Sequence, residues 1–295
     1  MIKNLLLTGA SGWFGKSLIY EGYKLFGKQF LNDNFFAASS PKSVSVPGIP
    51  EVINFISLEE ALNLKSIDCM IQSAFITRDK IKNIGNDKYI MQINNIINTS
   101  SKISQIHKLK KHIVISSGSV INDPSLYGSL KAKEEDRLLI SSAKDKKILR
   151  VYAAGGIFLP KLDWSALSQF VQCFYNNKDI HFKSNGRVLR SLVDFGDLSK
   201  ILLKYISIED IYPVMIIDAC NTEVDLVEIA SIIAKKNNLK VIFPPTFSRQ
   251  NIASDYRGKI KQFLELAKFV GQNLSGIDDQ IENSLKSFEL QKLIK

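Results

Sequence analysis

The segment "SSGSVINDPSLYGSLKAKEED" (116–136) sets Tyr127 four residues before Lys131. On a helix that spacing turns both side chains to one face. A free phenol ionises at about pH 10, so proton exchange near neutrality requires roughly 4 kcal/mol of preferential phenolate stabilisation. A neighbouring ammonium acts in that direction. Ser117, at the end of the preceding apolar run, can donate a hydrogen bond to an oxygen on which alkoxide charge develops. Together the three residues would move a proton on and off a substrate oxygen. Taken alone, the tyrosine–lysine spacing describes an ordinary pair on an exposed helix equally well.

A second chemical signal lies near the start of the chain. In "LLLTGASGWFG" (5–15) an apolar run stops at Thr8, and glycines follow at Gly9, Gly12 and Gly15. A strand handing over to a helix through GxxGxxG is the beginning of a dinucleotide-binding βαβ unit. Gly9 permits the tight turn, Gly12 lets a pyrophosphate approach the backbone, and Gly15 lets helix and strand pack closely. The amides of Gly12, Trp13 and Phe14, beside Ser11, would then face an anion at a helix N-terminus. A plain strand–turn–helix is the simpler alternative. With a dinucleotide in place, oxidised nicotinamide adds positive charge near Tyr127, and Lys131 can also hold a ribose.

The end of the next strand bears on the choice of dinucleotide. "FFAASSPKS" (35–43) has Ser39, Ser40 and Lys42 where a carboxylate would otherwise select a free 2′-hydroxyl. Serines and a lysine suit a 2′-phosphate. NADP or NAD is therefore expected, with NADP preferred.

These residues need a scaffold, and short apolar runs alternate with longer amphipathic stretches along the chain. Strands are expected at 3–9, 34–39, 51–56, 68–74, 111–117, 147–152 and 213–219. Helices are expected at 13–26, 58–64, 87–107, 126–143, 165–176, 196–206 and 224–237. Strands separated by helical crossovers imply an α/β fold, a Rossmann-type doubly wound parallel sheet with helices on both faces. Residues 157–191 break the rhythm, and the stretch from 241 onward reads as a small lobe closed by two helices. The expected division is a dinucleotide-binding domain of 1–157 plus 192–238, with a substrate lobe of 158–191 plus 239–295.

Composition bounds the remaining classes. The 295 residues are 45% hydrophobic and 23% charged, enough to bury a real core. No stretch approaches the ~18 apolar residues of a membrane span, and the N-terminal apolar run is too short for a signal peptide. Cys69, Cys173 and Cys220 form no CxxC pair and read as reduced thiols of a cytoplasmic protein. The net charge of +10 comes from lysines spread along the chain, as in "KLKKH" (108–112) and "KAKEED" (131–136). It is not the concentrated basic face of a nucleic-acid binder, so nucleic acid is not an expected partner. His107, His112 and His181 lack metal-ligand spacing, and no metal is expected. Trp164 and Phe170 read as helical core, and Asp197, beside Asp194, as the cap of a following helix. Tyr256 and Arg257 read equally as a surface loop or as groups closing over a diphosphate.

In order along the chain, the pieces resemble the extended short-chain dehydrogenases/reductases, in the nucleotide-sugar epimerase/dehydratase family. The resemblance runs through "TGASGWFG" (8–15), "DCMIQSAF" (68–75), Asn94 in "INNIINTS" (93–100), "VISSGSV" (114–120) and "YGSLK" (127–131). It continues through "LRVYAAGG" (149–156), "RSLVDFGDLSK" (190–200) and "VMIIDACNTEVDLVEIASIIA" (214–234). It implies that Ser117, Tyr127 and Lys131 are the catalytic group and that Asn94 supports the active-site helix. It further implies that Ala74 lines the cofactor groove, that Arg190 reaches a substrate phosphate, and that helices 87–107 and 126–143 form a homodimer interface.

Three positions depart from the family's pattern. Ala153 stands where an asparagine usually contacts substrate phosphate. Gly118 and Ser119 replace the Asp–Glu pair of the dehydratases, which argues against 4,6-dehydration. The segment between Ser117 and Tyr127 is unusually short. The resulting expectation is an NAD(P)-dependent enzyme acting on a nucleotide sugar by hydride transfer at a sugar carbon, C4 first. A 4-ketoreductase is preferred, a 4-epimerase with tightly held NAD is the alternative, and a non-catalytic dinucleotide sensor is the third reading.

Overall fold

The computed structural model describes residues 4–32, 35–40, 42–161 and 165–292. The chain forms two compact units, Met1–Val151 with Ser199–Ile217, and Tyr152–Leu198 with Asp218–Lys295. The expected division gave 1–157 and 192–238 to the first unit, whereas 152–157, 192–198 and 218–238 fall in the second.

The first unit is built on a six-stranded sheet of β1 (Leu5–Thr8), β2 (Phe35–Ala38), β5 (Cys69–Gln72), β6 (Lys111–Ser117), β7 (Asp145–Val151) and β11 (Ile216–Ala219). Its order is β11-β7-β6-β5-β1-β2, and the pairs from β7 to β2 are parallel. Leu5, Leu6, Leu7, Met70 and Ile71 are fully buried, as strands covered on both faces must be. Each such side chain contributes roughly 1.5–3 kcal/mol of transfer free energy. The helices of this unit are α1 (Trp13–Phe26), α2 (Gln29–Asn32), α3 (Leu58–Ala61), α4 (Ile81–Ile84), α5 (Asn86–His107), α6 (Ser119–Asn122) and α7 (Leu126–Leu139).

One expected sheet strand is absent from the sheet. The run 51–56 instead supplies β4 (Val52–Asn54), which pairs antiparallel with β3 (Ser43–Ser45). Only Ile53 of β4 is buried. A segment with one covered face suits a two-stranded ribbon rather than a strand between two helical layers. Ile56 still makes a single parallel bridge to Ala38.

The second unit holds β8 (Ala153–Gly155), β10 (Gly186–Asp194), β12 (Thr222–Asp225) and β14 (Ser248–Tyr256) in one sheet, and β9 (Ile180–His181) with β13 (Val241–Ile242) in a second. Its helices are α8 (Ala166–Tyr175), α10 (Leu226–Lys236), α11 (Ile260–Phe269) and α12 (Ile277–Lys292). The division between the units falls within α9 (Phe195–Ser207) and within β11. α9 is capped by Asp194, whose Oδ1 accepts from the amides of Gly196 (2.7 Å) and Asp197 (3.3 Å). The expected cap, Asp197, lies within the first turn instead and accepts from the Ser275 amide at 2.7 Å. Phe170 is core, as its helical spacing implies, while Trp164 lies outside the described residues.

The lysines are less uniformly superficial than their spread along the sequence implies. Lys111 is buried and donates to the carbonyls of Tyr205, Ile208 and Asp210. It neutralises the C-terminal end of α9, where carbonyls lack helical partners.

Candidate active site

Because β1, β2, β5, β6 and β7 run parallel, their carboxyl ends share one edge of the sheet. Gly9 follows β1, Ser39 follows β2, Ser73–Phe75 follow β5, and Ser117 ends β6. Open α/β sheets bind ligands at this edge.

The glycine turn is locked from inside. Gly9 has φ +71°, and a Cβ there would lie 2.7 Å from the Ala74 amide nitrogen. A Cβ on Gly15 would lie 2.5 Å from the Gly9 carbonyl oxygen. Thr8 ties the turn to the end of β5: its Oγ1 accepts from the amides of Ser73 (3.2 Å) and Ala74 (3.1 Å). Gly12 differs, since the nearest atom to its added Cβ would be the Gly9 oxygen at 3.1 Å. Gly12 N-caps α1 without any side-chain cap, and the first turn contains no acid. One expectation needs correction, because the Gly12 amide donates to the Gly9 carbonyl at 2.9 Å and closes the turn rather than facing a ligand. The Ser11 and Ser39 hydroxyls meet at 2.5 Å, joining this turn to the end of β2, and Lys42 is exposed beyond it. A backbone without Cβ at Gly12 and a helix start without an acidic residue or a side-chain cap fit a dinucleotide pyrophosphate.

Tyr127 and Lys131 lie on α7, which begins at the N-cap Ser125. The short connection from β6 is accommodated by α6, packed so closely that a Cβ on Gly128 would lie 2.1 Å from the Asp123 carbonyl oxygen. The glycine after Tyr127 is therefore demanded by the shortness of the loop. Ser117 sits at the mouth of β6, where its Oγ accepts from the Ser119 amide at 3.2 Å. Tyr127 is half-buried, and its ring meets Phe75 edge-on with centroids 5.5 Å apart. The Lys131 ammonium lies 3.9 Å from the centroid of the same Phe75 ring. It donates to the Ile115 carbonyl (3.0 Å) and to Glu134 Oε2 (2.8 Å).

Several of these partners are missed by the sequence reading. "KAKEED" resembles a solvated charge run, yet Glu134 and Glu135 are 1% and 4% exposed. They stand three and four residues after Lys131, on the same face of α7, but their burial is set by Gln72, Ser116 and Arg150, which are distant in sequence. Glu135 accepts from Ser116 Oγ (2.5 Å) and takes Arg150 through both oxygens (2.9 and 2.6 Å), fastening α7 to β6 and β7. Asn94 is half-buried on α5 and accepts from Lys133 of α7 at 2.8 Å.

Arg190 lies in the second unit. Its guanidinium donates to the Leu189 carbonyl (2.7 Å) and Ser254 Oγ (3.1 Å) and stands 5.8 Å from the Tyr256 ring centroid. Burial pulls its pKa below the usual arginine value. Arg257 is committed to Asp255 and Glu223 on the surface. His107 bonds the Ala61 carbonyl, His112 is buried, and His181 is exposed. Among the described residues no group of three or more His, Cys, Asp or Glu is disposed to hold a metal, and no helix is long and apolar enough to cross a membrane.

No family model and no curated protein matches the sequence. Solved structures match it through shape. The UDP-N-acetylglucosamine 4-epimerase of Methanobrevibacter ruminantium, in complex with UDP-N-acetylmuramic acid, superposes with a TM-score of 0.75 at 13% identity, covering 98% of this chain and 99% of that one. The UDP-glucuronic acid 4-epimerase of Bacillus cereus, in complex with UDP-glucuronic acid and NAD, gives 0.72 at 15% identity over 98% and 99%. The UDP-glucose 4-epimerase of Thermotoga maritima, with UDP-glucose, gives 0.70 at 14% identity over 99% and 100%. Over nearly its whole length, the chain shares the fold of these three solved structures.

Proposed function

We propose that the chain is a nicotinamide-dinucleotide-dependent enzyme of nucleotide sugars, passing hydride at a sugar carbon, C4 first. One observation carries the reading: the glycine turn and the Tyr127–Lys131 pair stand at the same edge of one parallel sheet, after β1 and β6. A bound dinucleotide would supply the hydride acceptor and donor. Gly9, Gly12, Gly15 and the first turn of α1, with Ser11, Trp13 and Phe14, would receive its pyrophosphate. Ser39 and Lys42 would face the adenosine ribose, Ala74 would line the groove, and Lys131 would hold the second ribose. Tyr127 accepts the proton of the sugar hydroxyl as its carbon is oxidised and returns it on reduction. Ser117 donates to the same oxygen, and Asn94 steadies α7 through Lys133. Arg190, in the second unit, is assigned to a substrate phosphate by resemblance alone.

A 4-epimerase and a 4-ketoreductase share this machinery. The named 4-epimerases, one of them holding NAD, support 4-epimerisation with NAD as the first reading. Ser39 and Lys42 support the second, an NADP-dependent 4-ketoreductase. Gly118 and Ser119 speak against 4,6-dehydration in either case. We also assign α5 and α7 to a homodimer interface, where Met91 and Ile106 leave apolar surface exposed on α5.

The test is incubation of the purified protein with NAD or NADP and a panel of UDP-, dTDP-, GDP- and CDP-sugars, followed by product analysis. An epimer formed without net dinucleotide turnover identifies the first reading, and stoichiometric reduction of NADP with formation of a 4-keto sugar, the reverse of ketone reduction, the second. Tyr127→Phe must abolish turnover while dinucleotide affinity barely changes. Turnover that survives overturns the assignment of Tyr127, and dinucleotide binding without turnover on any sugar identifies a sensor.

A further inference from the structure

Behind Lys131 stands a buried polar chain that the reaction chemistry does not itself require. Glu134 Oε2 receives the Lys131 ammonium at 2.8 Å, and its Oε1 receives the Gln72 amide nitrogen at 2.7 Å. Since Gln72 spends its N–H on Glu134, its oxygen faces His112, whose Nε2 lies 3.1 Å away and must be the donor. The side chains of Lys131 and Glu134 are 4% and 1% exposed. Lys131 and Gln72 thus both donate to the one carboxylate, and His112 stands behind Gln72.

We propose that Glu134 is a positioning residue: it holds Lys131 in its cationic form against the Phe75 ring, and so sets the ionisation of Tyr127. The proposal rests on the reading of Tyr127 as the group that exchanges the proton. An ammonium withdrawn from water keeps its charge only when paired. The Ile115 carbonyl offers a dipole and the Phe75 ring a quadrupole, but neither carries a net negative charge. Without Glu134, Lys131 would lose its proton at a lower pH, and the phenolate would lose the cation that favours it.

The groups facing this pair are otherwise occupied. On α7, Glu135 is taken by Ser116 and Arg150, and Arg137 lines the same small polar cavity as Glu134, Gln72 and His112. From β6, His112 is held neutral, because burial pushes its pKa down to about 3. From α5, Tyr89 donates to the Ile76 carbonyl, and burial raises its pKa, as do Tyr127 and Asp79. Burial raises the Glu134 carboxyl as well, while Lys131 and Gln72 pull it back.

The experiment is a spectrophotometric titration of phenolate absorbance in the full-length chain, without substrate. Subtracting the same titration of the matching Tyr127→Phe protein isolates Tyr127. Glu134→Gln should raise the Tyr127 midpoint by about one pH unit or more, and Glu134→Asp, which keeps the charge at shorter reach, should raise it less. Lys131→Met should raise it too, and adding Glu134→Gln to that variant should change nothing further. A midpoint that stays or falls in Glu134→Gln overturns the proposal. Should that variant not fold, an unmoved midpoint in Glu134→Asp does so. Because no substrate is present, this failure is separate from failure of the functional reading, which shows itself as turnover surviving in Tyr127→Phe.

Discussion

A Cβ placed on Gly15 would lie 2.5 Å from the carbonyl oxygen of Gly9. The first helix and the turn that precedes it are therefore packed backbone to backbone, and the residue six positions after Gly9 decides whether the turn closes.

Gly15→Ala should cost roughly 1–3 kcal/mol of stability by overpacking and weaken dinucleotide binding, since relief of the clash must move the Gly9 carbonyl or α1. Gly12→Ala meets only a 3.1 Å contact and should lower dinucleotide affinity with less loss of stability. Denaturant titration and equilibrium dinucleotide binding on both variants check the contrast. Equal destabilisation would contradict it.

Buried Glu135 and half-buried Arg150 form an ion pair that joins α7 to β7. Glu135→Gln removes the carboxylate charge that faces the guanidinium and should lower stability by roughly 1–3 kcal/mol. The shift of the denaturant midpoint measures it, and a change within error would show that the pair is dispensable.

His112 gives a pH signature. Its folded pKa is about 3 against an ordinary value of 6.5, because it is buried. The unfolded chain therefore binds the proton first, and stability is lost as pH falls from 6.5 toward 3. At pH 5 the loss from this group is about 2 kcal/mol. His112→Gln, which retains a donor for Gln72, should flatten that part of the stability–pH curve.

Ser39→Asp places a carboxylate after β2, where it repels a 2′-phosphate and suits a free 2′-hydroxyl. The ratio of NADP to NAD affinity should fall at least about tenfold, one opposed charge pair being worth roughly 1.4 kcal/mol in this setting. Binding measured for both dinucleotides reads the ratio directly.

The α5–α7 dimer predicts a species of twice the chain mass by sedimentation at micromolar concentration. Met91→Glu and Ile106→Glu together should shift it to monomer, because each charge would have to be buried in the interface. A wild-type chain that sediments as a monomer rejects the interface.

The sequence by itself determined the alternating strands and helices, the glycine turn and the one-faced spacing of Tyr127 and Lys131, because these are local: period, φ and helical phase are written into neighbouring residues. Only the tertiary structure decided that 51–56 leaves the sheet, that Asp194 rather than Asp197 caps α9, and that Lys111, Lys131, Glu134 and Glu135 are interior. Whether a charged side chain is solvated or paired depends on groups far away in sequence. Glu134 meets Gln72 across 62 residues, and no local pattern around either residue announces the other.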